Sequence, residues 1–246
     1  MRALAAQALA ETRMTMRRGE SLLLNLGIPL GLLAFLALTK VFPKPSDQLA
    51  FLVPGILALA IMSTGMVSLG ISTGFEREYQ VLKRLGVTPL GRPRLVVAKV
   101  LSVVAIELLQ VVLIVALGLA LGWRPWAQAP GAGGVSVAVI GGAVAGTAAF
   151  AGLGLLLAGT MRADVVLALA NALWLVLLFL GGMVFSLAKL PGPLRSAADL
   201  LPGDALTEVM RGTLAAAPGV PLHAWVVLVV WAVAAPSLAA WAFRWE

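Results

Sequence analysis

Six apolar stretches punctuate this chain, each close to the ~20 residues that a helix needs to cross the hydrocarbon of a bilayer. They cover residues 22–42, 49–74, 95–121, 135–159, 165–187 and 224–241. Lys99 and Glu107 are the only charges inside them once the edge residue Lys40 is set aside. Pro29, Pro54 and Pro236 are no obstacle, because neighbouring helices re-satisfy the backbone groups that a proline frees. A composition that is 61% hydrophobic and 12% charged, with a mean hydropathy of +1.00, leaves a water-soluble fold nowhere to hide its apolar surface. The expected fold is therefore all-α, one polytopic membrane unit over residues 1–246 with six transmembrane helices.

Several chemistries are excluded at the same time. With no cysteine there is no disulfide, thiol catalysis or Cys-ligated metal, and a single histidine, His223, removes any multi-histidine site. No Gly-x-x-x-x-Gly-Lys-Ser/Thr sequence occurs, so the chain has no P-loop of its own, and it is not expected to be an enzyme. The first 20 residues are polar-mixed without a small-residue cleavage site, so no signal peptide is expected ahead of the first span.

Charge sets the topology. The N-terminal segment, the loop after the second span with Lys99, Arg162 and Arg244 together hold twelve of the eighteen Lys and Arg residues. By the positive-inside rule that side faces the cytoplasm, which puts both termini there, as an even number of spans requires. Residues 1–20 read as a helix lying on that surface, with Leu9, Thr12 and Met16 on one side and Arg13 close by. It is either an interfacial elbow held by anionic lipid or a frayed, basic leader.

The loop between the second and third spans carries the most local signal. Thr73 and Glu76 fit a capping box, Gly86 supplies a stop, and Phe75, Tyr79 and Leu82 fall at helical spacing. Thr88-Pro89 then reads as an N-cap followed by proline at the first helical position. Two short helices joined by a tight turn follow, either as a projecting element that a cytosolic partner grips or as a solvated connector.

An acidic pair directly after the second span, then Leu82-Lys83-Arg84-Leu85, Thr88-Pro89 and a basic residue entering the third span, resembles the ABC-2 family of bacterial exporter permeases. Family members often have Gly two residues after the second acid, where this chain has Gln80. The resemblance implies a bundle like that of type V ABC exporters, with residues 1–20 as an elbow helix and residues 75–94 as the coupling loop. Glu76, Glu78, Tyr79, Lys83, Arg84, Thr88 and Pro89 would then dock a cytosolic ABC ATPase, present in two copies and binding the ATP and Mg that this chain lacks. A second permease chain, identical or similar, would complete a substrate path lined by parts of spans one, two and five. The location would be the bacterial plasma membrane, and the cargo an amphiphile such as a drug, antibiotic or lipid.

Residues 188–222 are too polar to span. Within them Asp204 is read as an N-cap, with Leu206, Val209, Met210 and Leu214 as an apolar stripe against Thr207, Glu208 and Arg211. The resemblance makes these short extracellular helices a cap over the exit, and an amphipathic surface helix fits equally. Glu107 sits near the bilayer middle, where a charge costs about 2.5–3.5 kcal/mol on insertion scales. With Gln110 one turn on, it is either a cavity residue or an interhelical hydrogen bond. Asn25 and Asn171 pose the same choice. A self-contained secondary carrier or membrane enzyme using Glu107 is the competing reading, but it calls for paired acids, bases or ligands at membrane depth. A passive scaffold would not need a capped projecting loop.

Overall fold

The computed structural model describes residues 2–17, 19, 23–39, 45–86, 92–125, 137–214 and 220–243. All regular structure among them is helical. Helix α1 (Arg2–Arg17) precedes a π-helical turn, Leu23–Gly27, that runs into α2 (Ile28–Leu38). Next come α3 (Pro45–Met62), a second π-helical segment (Ser63–Ser68) and α4 (Leu69–Glu78), followed by the short α5 (Val81–Gly86). Helices α6 (Arg92–Ala120), α7 (Val137–Thr160) and α8 (Ala163–Leu180) are long and apolar. A 3-10 turn leads to α9 (Gly192–Ala198) and α10 (Pro202–Leu214), and α11 (Leu222–Ala242) closes the bundle.

Five helices among the described residues are long and apolar enough to cross a membrane, and a shorter apolar helix covers Asn25–Leu38. The most buried of the five is the continuous rod Gln48–Glu78, built from α3, the π segment and α4. It packs against α2, α6, α7, α8 and α10, so the core is organised around it. One expectation is corrected here. Thr73 does not open a new helix but sits buried inside α4, where no hydrogen-bond partner meets its hydroxyl, and the rod runs on to Glu78. The capping box fails because that face of α4 is packed against neighbouring helices, with Gly74 in van der Waals reach of Val166. The break falls instead at Tyr79-Gln80, where Gln80 adopts φ +59°, and the next helix is α5. A left-handed Gln costs about 1–2 kcal/mol, which explains why glycine suits this place in the family resembled.

Two further boundaries differ from expectation. Helix α8 stops at Leu180 because Gly181 and Gly182 turn the chain, Gly182 at φ +63°, so residues 181–187 are not part of a span. Helix α10 starts at Pro202, which places Asp204 in the first turn and not at the cap. It is also no surface helix. Leu206, Thr207, Val209 and Met210 are all buried, against α3, α7 and α11.

Apolar helices in lipid gain little from hydrophobic burial against one another and associate through close packing of small residues. Gly154 of α7 illustrates this. A Cβ there would lie 2.7 Å from the carbonyl oxygens of both Gly65 and Met66 in the π segment. Since backbone is what it would strike, Gly154→Val should cost about 1–3 kcal/mol or more through overpacking. A fall in melting temperature of the detergent-solubilised protein checks this, and an unchanged value would remove the close-packing argument.

Candidate functional site

The end of the bundle that carries α5 is held by ions. Lys99 on α6 is buried, with its ammonium 2.5 Å from Glu76 Oε2 on α4 and 3.2 Å from Glu11 Oε2 on α1. Three helices therefore meet on one cation. The inward side of α1 is polar, with Gln7 donating to Glu11 at 3.0 Å, whereas Leu9, Met14 and Met16 point outward with Arg13 and Arg17. That inversion of the usual amphipathic order places apolar side chains where lipid would be.

The two residues after Glu76 read the next helical hairpin. Arg77 donates from Nη1 to the Gly159 carbonyl at 2.5 Å and from Nη2 to the Met161 carbonyl at 2.7 Å, closing the end of α7. Glu78 Oε2 accepts the Ala163 N–H at 3.2 Å, at the start of α8. Cation on a helix C-terminus and anion on a helix N-terminus both suit the helix dipole. Tyr79, Lys83 and Arg84 are exposed, and Tyr79 stacks on Phe75 with ring centroids 6.1 Å apart. Leu82 turns inward against Leu95 and Phe243. Thr88 and Pro89 lie outside the described residues.

At membrane depth the polar side chains connect helices. Asn25 donates to Ser68 at 3.2 Å, while Gln110 donates to the Asn25 carbonyl at 2.7 Å and accepts from Thr64 at 3.0 Å. Both π segments take part, through Asn25 in one and Thr64 and Ser68 in the other. Such looser turns re-aim side chains within a helix and recur at functional sites. Trp174 donates to Ser63 at 2.7 Å, tying α8 to the same π segment. Glu107 accepts from Thr147 on α7 at 2.6 Å through Oε2, while its other oxygen has no hydrogen-bond partner among the described residues. Among the described residues Asn171 bonds its own helix, at the Leu167 carbonyl, and stays exposed.

A cavity of about 930 Å³ lies between α1, the first π segment, the second half of the rod and α8. Asn25, Ser68, Ser72, Asn171, Glu76 and Tyr79 are among the residues lining it. The fold thus brings four of the expected site residues, Asn25, Glu76, Tyr79 and Asn171, to one cavity. Glu107 and Gln110 are not among its lining residues.

The family model of the ABC-2 type transporter matches residues 6–215, most of the chain. This protein belongs to the ABC-2 type transporter family. No curated protein matches it. As an ABC-2 membrane domain it is a multi-pass transport protein whose kind of partner is an ABC ATPase.

Charge signals alone did not expose the most engaged groups of this ABC-2 chain. Arg77 and Lys99 are legible only as positive-inside residues, because Arg77's partner Gly159 lies 82 positions away and Lys99's partner Glu11 lies 88. Arg211 is the counterpart at the opposite end. Its guanidinium sits 3.6 Å over the Phe51 ring, with Nη2 donating to the carbonyls of Gly182 at 2.6 Å and Met183 at 3.3 Å. Burial lowers its pKa to about 10, so it stays cationic at neutral pH. Asp204, 4% exposed, has its pKa raised to about 7 by burial, with Glu208 and Asp199 adding to the rise and Arg211 and Arg195 opposing it.

Two outcomes follow. Lys99→Met leaves two carboxylates facing each other and should cost about 3–5 kcal/mol, whereas adding Glu11→Gln and Glu76→Gln should recover most of the loss. Thermal melts of the single and triple variants check this, and a triple variant as unstable as the single one would refute the ion-pair account. For Asp204 the folded pKa lies above the unfolded one, so the protonated form is favoured on folding. Its contribution is full below about pH 4 and is lost as pH rises through about 7. Asp204→Asn should leave the melting temperature near pH 3.5 unchanged and raise it increasingly as pH rises toward 8.

Proposed function

We propose that this chain is the permease subunit of an ATP-driven exporter that carries an amphiphilic compound, drug-like or lipid-like, across the bacterial plasma membrane. A separate ABC ATPase hydrolyses ATP with its Mg, and two permease chains, identical or similar, each engage one ATPase. The α5 end faces the cytoplasm in this reading, with both termini on the same side, because that end carries the excess of Lys and Arg. The α10 end then caps the exit.

One observation carries the reading. The wall of the 930 Å³ cavity belongs to the rod that leads into α5, since Ser68, Ser72 and Glu76 line the cavity from the continuous helix that ends at Glu78, and the Tyr79-Gln80 turn joins it to α5. A push on α5 therefore reaches that wall through a single tight turn. The π segment at Ser63–Ser68 reaches the cavity through Val67 and Ser68 and gives the rod a place to bend. A lining that mixes Val67, Ile71, Phe75 and Leu167 with asparagine, serine and threonine groups suits a cargo with an apolar body and several hydrogen-bonding groups. Glu107 acts in packing, because it bonds Thr147 on α7 and is not among that cavity's lining residues.

Proteoliposomes holding the permease with its ATPase should export an amphiphilic dye only when ATP and both proteins are present. Export by the permease alone would overturn the reading. In the same assay Glu107→Gln should leave the ranking of substrates unchanged, since an amide oxygen still accepts from Thr147. A reordered ranking would return Glu107 to the substrate path.

A further inference from the structure

We propose that the cavity selects cationic amphiphiles, seating the positive group against Glu76 and the stacked rings of Phe75 and Tyr79, and a hydrogen-bonding group against Asn25 and Asn171. The inference rests on the transport reading above, in which this cavity holds the cargo, and adds the charge of that cargo and the way round it lies. The lining has two polar ends. Along the rod Ser68 and Glu76 are about 12 Å apart at 1.5 Å per residue, and Asn25 donates to Ser68 at the far end. Along α8, Asn171 is also about 12 Å from Ala163, the residue whose N–H Glu78 accepts. Asn171 therefore belongs to the same far end as Asn25. Ile71 on the rod and Leu167 on α8 fall between the two ends, so the middle of the lining is apolar.

Charge decides which group goes where. Among the lining residues Glu76 is the only acid, and none is Lys or Arg. Lys99 does not cancel that charge, because one ammonium faces two carboxylates, Glu76 at 2.5 Å and Glu11 at 3.2 Å. The cluster keeps one negative charge in excess. Lys99 is 2% exposed and the Glu11 side chain 10%, whereas the Glu76 side chain is 21% exposed and lines the cavity, so the excess is felt there. Nearby cations are turned elsewhere. Arg77 is bound to the carbonyls of Gly159 and Met161, and Arg13 and Arg17 are exposed on α1. Phe75 and Tyr79 line the same end as Glu76. A carboxylate beside aromatic faces attracts an ammonium group, and away from bulk water it penalises an anion of the same shape.

The test measures binding to the full-length permease in zwitterionic nanodiscs, with empty nanodiscs subtracted, and needs no ATPase. Three dansyl probes share one alkyl spacer and end in a trimethylammonium, a hydroxyl or a sulfonate group. The trimethylammonium probe should bind about tenfold more tightly than the hydroxyl probe, and the sulfonate probe more weakly than both. Tyr79→Leu should weaken the cationic probe about fivefold and the hydroxyl probe less, while Tyr79→Phe should keep most of the preference. Glu11→Gln removes the excess charge without touching the lining and should narrow the preference for the cation. Misfolding would not mimic that result, because the hydroxyl probe should still bind. Equal affinity for the three probes, or a cation preference untouched by both Tyr79→Leu and Glu11→Gln, would overturn the inference, while ATP-driven export of an amphiphilic dye would still uphold the transport reading. A cation preference without ATP-driven export by the assembled complex would uphold the site and overturn the transport reading.

Discussion

A polar group inside a bilayer has no water to turn to, so each one must be satisfied by the protein itself. In this chain that requirement is met mainly along a single rod, Gln48–Glu78, and the other helices are arranged to meet it. Ser63, Thr64 and Ser68 receive or give hydrogen bonds to Trp174, Gln110 and Asn25, which come from three other helical segments. Where side-chain polarity is absent, Gly65, Gly70 and Gly154 allow backbones to touch. The rod is thus both the core of the fold and one wall of the cavity.

Arginines finish the two ends of helix α8, and they do so alike. Arg77 takes the carbonyls of the turn before it, and Arg211 those of the turn after it. Between these staples α8 is among the least buried of the spanning helices. Along its length Trp174 gives it one further tie, to Ser63 of the rod. Guanidinium suits the task because its donors fork over neighbouring carbonyls and its plane stacks on an aromatic ring, as Arg211 does on Phe51.

How much of this was legible beforehand depended on the range of the interaction. The apolar lengths gave five helices long enough to span and a shorter sixth, Asn25–Leu38, among the described residues, because hydropathy is a property of consecutive residues. The acidic pair at 76 and 78 stands out in the sequence, but its partners were not foreseeable. Glu76 turns inward to Lys99, and Glu78 caps α8. Thr73 misled because a Thr-x-x-Glu pattern is a capping signal only where the chain is free to leave a helix, and here packing holds it in one. Gln80 was noted as a departure from the family resembled, yet its left-handed backbone could be read only in three dimensions.

The sequence by itself determined that this chain lies in lipid as a helical, multi-pass protein and that it resembles ABC-2 permeases, because hydrophobic length and local motif are written in consecutive residues. Only the tertiary structure decided which polar groups face a cavity and which knit helices together. Asn25, Asn171, Glu76 and Tyr79 share the cavity while Glu107 and Gln110 make hydrogen bonds between helices, and Arg77, Lys99 and Arg211 become structural nodes. The physical reason is that a hydrogen bond or ion pair in lipid is fixed by which helices touch, and contacts between residues 80 or more positions apart leave no trace in local sequence.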